Sequence, residues 1–234
     1  MPEVTLIAGA GPGLGAALAN RFADGGHQVA MFARDPDRLG LLAKERADGR
    51  LRSFACDVTE PDAVEATFAR VEAELGAPGC VVFNAGAFRR GTVLELEPAE
   101  LERCWRVGCL GGFLVARAAA CRMLDAGRGT ILFTGATASL RGGAGFAALA
   151  VPKFGLRALA QSLARELGPQ GIHVAHVLID GQIRSPRYEA LLDERGPDAL
   201  LEPTAIAELY WQLHMQPRSV WTLEADVRPF VEKF

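Results

Sequence analysis

The chain has 234 residues, half of them apolar and 23% charged, with a net charge of −3. That length is enough for one large domain with a full core, and the charge balance offers no pull toward nucleic acid or an anionic membrane. Five cysteines without a CxxC pair point to buried small hydrophobes rather than to disulfides or a metal site.

Apolar runs alternate with segments of helical period. VTLIA (4–8) reads as a strand and 13–23 as the helix behind it. HQVAMFA (27–33) is the next strand, with a helical stretch over 37–47. RSFAC (52–56) is a short strand, and Pro61 opens a helix to residue 75, since proline suits a first helical turn. CVVFN (80–84) is a strand, 98–125 a long helix and GTILFT (129–134) a strand. A helix over 146–167 and the strand IHVAHVLI (172–179) follow. Pro186, Gly196 and Pro197 loosen the pattern over 180–203, which predicts a lid or short helices. A helix over 204–214 and a short strand near Trp221 close the chain.

Strands that are apolar almost throughout belong in a parallel sheet covered on both faces. The expected fold is therefore α/β, a single doubly wound Rossmann-type domain over 1–234 with about seven strands and a substrate lid at 180–203. No stretch reaches the roughly 18 uncharged apolar residues of a membrane span. The richest, 113–124, is interrupted by Arg117 and Arg122. The N-terminus has no positive n-region. These readings imply a cytoplasmic protein without membrane or nucleic-acid partners.

AGAGPGLG (8–15) lies between the first strand and its helix. Glycines there allow a tight turn and let backbone N–H groups approach a pyrophosphate at the positive helix end. Arg34 directly follows the second strand, where a guanidinium can grip the 2′-phosphate of NADP; an NAD site usually offers an acid instead. Ala33 and then Asp35 flank it, and NADP(H) is favoured over NAD(H).

Gly9, Gly13 and Gly15 resemble the TGxxxGxG loop of the short-chain dehydrogenase/reductase family, with Ala8 in place of the threonine. CDV (56–58) resembles that family's adenine-contacting turn, NAG (84–86) its signature after the fourth strand, and VGCLGGF (107–113) its VNxxGxF helix segment. GPQGIHV (168–174) resembles the lead into its sixth strand. The resemblance spans essentially the whole chain. It implies a cofactor held by Gly9, Gly13, Leu14, Gly15, Arg34, Asp57, Val58, Asn84, Ala85, Gly86, Lys153, Gly181 and Ile183. It also implies a homodimer or homotetramer built on the long fourth and fifth helices.

Carbonyl reduction by hydride needs a proton for the developing alkoxide and dipoles to stabilise it. In the resembled family a tyrosine, a lysine, a serine and an asparagine share this work. Carried onto this chain, the lysine falls on Lys153, the tyrosine on Leu149, the serine on Ala136 and the asparagine on Gly108. Loss of a general acid costs about 10²–10⁴-fold in rate. Thr134, Thr137 and Ser139 are candidate replacement donors, and Asp180 is a candidate acid or a plain turn residue before Gly181. Cys109 is read as packing, and His173 and His176, three apart on a strand, point to opposite faces. His214 is read as a helix-end residue, and no metal is expected.

Three functions remain open. The first is an atypical NADP(H)-dependent oxidoreductase acting on a small carbonyl or alcohol. The second is a non-redox cyclase, isomerase or lyase reusing the pocket. The third is a catalytically inactive nucleotide-binding partner or sensor.

Overall fold

The structure is a computed structural model that describes residues 2–35, 46 and 48–232. The helix expected over 37–47 lies outside the described residues, Arg46 apart. Seven strands form one parallel sheet: β1 (Val4–Ala8), β2 (Gln28–Ala33), β3 (Leu51–Ala55), β4 (Pro78–Phe83), β5 (Gly129–Thr134), β6 (Ile172–Ile179) and β7 (Glu224–Val227), in the order β3-β2-β1-β4-β5-β6-β7. The order reverses between β1 and β4, and the carboxyl ends of strands at such a switch point frame a ligand crevice. The sheet is the doubly wound α/β architecture that the apolar runs imply.

Helices cover both faces. On one face lie α1 (Leu14–Asp24) and the C-terminal helix α7 (Pro203–His214), whose Leu18, Phe22, Ile206 and Tyr210 pack on Ile7, Met31 and Leu132. On the other lie α2 (Pro61–Leu75), the long helix and α5 (Ala147–Leu167), packing Phe68, Val115 and Leu156 against Phe32, Phe83 and Phe133. β1 and β6 are buried along their whole length, which is why both read as unbroken apolar runs. The edge strand β7 sits at 224–227, a few residues beyond the expected place near Trp221.

The long helix runs over Pro98–Ala126 as α3 (Pro98–Trp105), one π-helical turn (Arg106–Leu110) and α4 (Gly111–Ala126). By length and composition alone it could cross a membrane, with a mean hydropathy of 1.5 over its most apolar window. Arg117 and Arg122 interrupt the apolar run, as the sequence indicates, but two charges do not bar a helix from that length-and-composition test. More than half of that window is buried in the protein, with Leu114, Val115, Ala119 and Met123 in the core, as befits a core helix.

Residues 180–203 carry a 3-10 turn (Pro186–Tyr188) and a short helix, α6 (Ala190–Arg195). A bridge between Ile183 and Leu201 ties the segment's two ends together, with Arg184 N donating to Leu201 O at 2.9 Å.

Candidate functional site

The chain leaves β1 through a turn that only glycine fits. Gly9 has φ 92°, and a side chain there would overlap the Ala85 backbone. Its N–H donates to Phe32 O at 3.1 Å, and Asn84 Nδ2 donates to its carbonyl at 3.0 Å, so the NAG segment braces the loop from the next strand. Gly13 has φ 93°, which an L side chain rarely adopts. Beside both Gly11 and Gly13 the place a Cβ would take is open space. Gly15 instead lies close to the loop, its would-be Cβ 2.9 Å from Ala10 Cα.

α1 begins directly after Gly13 with no side-chain cap and no acidic residue in its first turn. Its leading N–H groups and positive end are thus offered to an anion. Gly13, Leu14 and Gly15 line the main cavity together with Gly9 and Asn84.

A smaller cavity of about 280 Å³ adjoins the loop, lined by Arg34, Asp57, Val58, Asn84, Ala85 and Gly86 among others. Asp57 Oδ1 accepts from Thr59 N at 2.9 Å and from Thr59 Oγ1 at 2.8 Å. Those bonds, with Arg34 and Arg106 nearby, hold its carboxyl below the usual range. Arg103 and Arg106 from the long helix join Arg34 and Asp57 around a neighbouring hollow of about 270 Å³. Sequence reasoning named Arg34 alone; the topology adds Arg103, for which the sequence held no local signal. An open glycine cradle, an uncapped helix start and a guanidinium cluster together fit the phosphates of a nicotinamide dinucleotide.

The main cavity, of about 850 Å³, continues from the glycine loop to the ends of β5 and β6. Leu149 and Ala136 both line it, so two of the three positions carried over from the resemblance face the cavity with apolar side chains. The third, Gly108, is buried in the π-helical turn, and a Cβ there would lie 3.0 Å from Pro152 Cβ. Pro152 sits inside α5 next to Lys153 and fills the space beside Gly108.

Lys153 is buried, and its Nζ donates to Thr134 O at 2.6 Å. Burial pushes its pKa down to about 8. It is not among the residues lining the cavity. Gly181 and Ile183 do line it, and the 180–203 segment contributes Gln182, Ser185, Tyr188 and Arg195 to the same wall.

Of the candidate replacement donors, Thr134 and Ser139 are spent elsewhere. Thr134 Oγ1 lies 2.8 Å from Tyr210 Oη in the core, and Ser139 Oγ lies 3.2 Å from His176 Nε2. Thr137 alone lines the cavity, and its hydroxyl donates to Asp180 Oδ1. Asp180 is buried and faces Arg228 Nη1 at 3.2 Å. Arg228, just after β7, and Tyr188, on the expected lid, were not singled out from sequence; only the fold brings them here.

The remaining expectations concern side chains outside the cavity. Cys109 Sγ packs against Gly155 of α5, and the thiol is pushed up by burial. His173 stacks on Trp221 with ring centroids 5.0 Å apart, while His176 meets Ser139, so the two do not share a ligand.

Comparisons with known proteins agree with this geometry. The short chain dehydrogenase family matches residues 3–191. A short-chain dehydrogenase from Rhodopseudomonas palustris superposes with a TM-score of 0.84 at 40% identity, over 97% of this chain and 99% of that one. A metagenomic short-chain oxidoreductase solved in complex with NADP superposes with a TM-score of 0.84 at 31% identity, over 97% of each chain. The (21S)-21-acetoxyl-apo-melianone synthase of Melia azedarach is 33% identical over 174 residues, which are 74% of this chain and 64% of that relative's length. The chain therefore spans less than two thirds of that relative. Sequence motifs, sheet order and structural likeness converge: the chain belongs to the short-chain dehydrogenase/reductase family.

Proposed function

We propose that the protein is an NADP(H)-dependent oxidoreductase acting on a small carbonyl or alcohol, without a tyrosine acid. The observation that carries this reading is the continuity of one cavity from the glycine cradle to the Thr137–Asp180 pair. Gly9, Gly13, Leu14 and Gly15 would hold the pyrophosphate, with Arg34 at the 2′-phosphate and Asp57 and Val58 beside the adenine. When bound, the cofactor supplies or accepts the hydride.

Thr137 and Asp180 move the proton. In the oxidising direction the substrate hydroxyl passes its proton to Thr137 Oγ1 while the threonine's own proton moves to Asp180; reduction reverses both transfers. Arg228 holds the carboxylate in place. Leu149 with Phe88 and Phe146, whose rings stack at 5.4 Å, makes an apolar wall. Arg141 and Arg195 line the cavity with no carboxylate partner among the described residues, which favours a substrate bearing an acidic group. The 180–203 segment serves as the lid over that substrate.

Trp105, Phe113, Leu124, Val151 and Phe154 are exposed on the long helix and α5. An apolar surface on those two helices supports a homodimer or homotetramer. The test is NADPH consumption over a panel of carbonyls with and without a carboxylate. Turnover confined to the acidic members is expected, and no turnover with any member would overturn the redox reading.

One observation favours a second reading. Lys153 is buried with its Nζ engaged by Thr134 O, as suits a nucleotide-binding protein without redox turnover, either an inactive partner or a non-redox enzyme. Tight nucleotide binding with no cofactor consumption would select it.

A further inference from the structure

The end of the sheet opposite the cavity carries a cluster that the reading above does not use. Glu3 precedes β1, His27 precedes β2 and His214 ends α7, and one ligand atom of each lies within 4.8 Å of the others. These residues are far apart in sequence and meet only because α7 returns beside β1 and β2.

The hydrogen bonds around them orient both rings. His27 Nδ1 lies 2.8 Å from Thr5 Oγ1, and His214 Nδ1 lies 3.0 Å from Thr130 Oγ1. A histidine that donates Nδ1–H to a hydroxyl presents the Nε2 lone pair, the arrangement that orients metal-binding imidazoles. His214 Nε2 lies 3.6 Å from Glu3 Oε1, and the two ring centroids are 5.2 Å apart in a T-shaped contact. Both rings are shielded from water, while the Glu3 side chain is 42% exposed and forms the open side.

The carboxylate has its own seat. It lies over Gly79 of β4, where a methyl group would overlap Glu3 Oε1. The missing Cβ lets the side chain fold inward toward the two histidines.

We propose that Glu3, His27 and His214 form a divalent-cation site that takes Zn²⁺, with water as the fourth ligand. Two imidazoles and a carboxylate suit that ion, and a tetrahedral site with bonds of ~2.0–2.1 Å sets ligand atoms about 3.3 Å apart. The Glu3–His214 spacing of 3.6 Å is already close to this, and all three ligand atoms lie within 4.8 Å of one another. Closing on the ion requires a small inward shift of the His27 and His214 rings as well as of the exposed Glu3 side chain. The ion would staple the C-terminal helix to the amino-terminal edge of the sheet, remote from the dinucleotide site, so its role is structural.

The test is calorimetric titration of chelator-treated, dialysed full-length protein with Zn²⁺, alongside the visible absorption of Co²⁺ in its place. One equivalent of Zn²⁺ per chain, a raised melting temperature and a tetrahedral Co²⁺ spectrum are expected. Glu3→Gln should weaken Zn²⁺ binding at least ~10-fold, and Gly79→Ala, which alters no ligand, should weaken it in the same direction. Circular dichroism of both variants checks that the fold persists. Failure to bind one equivalent, or Zn²⁺ affinity unchanged in both folded variants, would overturn the site.

Discussion

The hydroxyl of Thr137 donates to the carboxylate of Asp180, which in turn faces Arg228 at 3.2 Å. This chain of contacts joins the loop after β5, the end of β6 and the residue after β7 at the wall of the main cavity. It is the only place where a candidate replacement donor named from the sequence reaches that cavity. If it moves the proton, Asp180→Asn should lower kcat by about 10²–10⁴-fold while leaving NADPH affinity within a factor of a few. Thr137→Val should do the same, and steady-state kinetics beside a nucleotide titration separates the two effects. A kcat unchanged in both variants would remove the pair from the mechanism.

Leu149 offers a gain-of-function test. It lines the cavity four residues before Lys153, and Ala136 lines it too. Leu149→Tyr combined with Ala136→Ser should raise carbonyl reduction at least ~10-fold over the parent, because it adds a phenol and a hydroxyl where charge develops. Gly108→Asn should not help in the same background: the added side chain starts 3.0 Å from Pro152 Cβ and should lower the melting temperature. Comparing the initial rates and melts of the parent and the two variants decides this.

Lys153 makes a pH prediction. Burial lowers its pKa from 10.5 to about 8, so between those values the unfolded chain binds the proton and the folded chain does not. Stability should therefore rise as pH increases from 8 toward 10.5, by up to about 3 kcal/mol for this group. Lys153→Met should abolish that rise and be the more stable protein below pH 8. Urea midpoints across this range, for parent and variant, give the check.

His176 acts at the acid end. Burial holds it down at about 4 against an ordinary 6.5, so the unfolded state takes up a proton that the folded state refuses. Stability should be full above pH 6.5 and fall as pH drops toward 4. His176→Gln should flatten this limb of the urea profile.

The sequence carried the fold unusually far, because each strand had to be apolar along its length to sit between two helical layers. β1, β5 and β6 lie where VTLIA, GTILFT and IHVAHVLI predicted them. The glycine loop was legible for a related reason: positive φ at Gly9 and Gly13 and the close approach of Ala85 leave no other residue type. The far side of the cavity was not legible. Asp180 could be an acid or a turn residue until Thr137 and Arg228 were seen beside it, and Arg228 comes from the far end of the chain. Tyr188 and Arg195 reach the cavity through a segment with no strong periodicity. His214 is indeed a helix-end residue, but its neighbours Glu3 and His27 are set by the return of α7 beside β1, which no local pattern encodes.

The central claim is that the glycine cradle and Arg34 hold NADP(H). Calorimetric titration of nucleotide-free protein with NADPH and with NADH tests it most directly, with Arg34→Ala measured alongside. The account predicts NADPH bound more tightly than NADH, and a loss of roughly 10–100-fold for NADPH alone in the variant, as expected when a charged hydrogen-bond partner is removed. Binding of neither nucleotide, or equal binding of both that ignores Arg34, would contradict it.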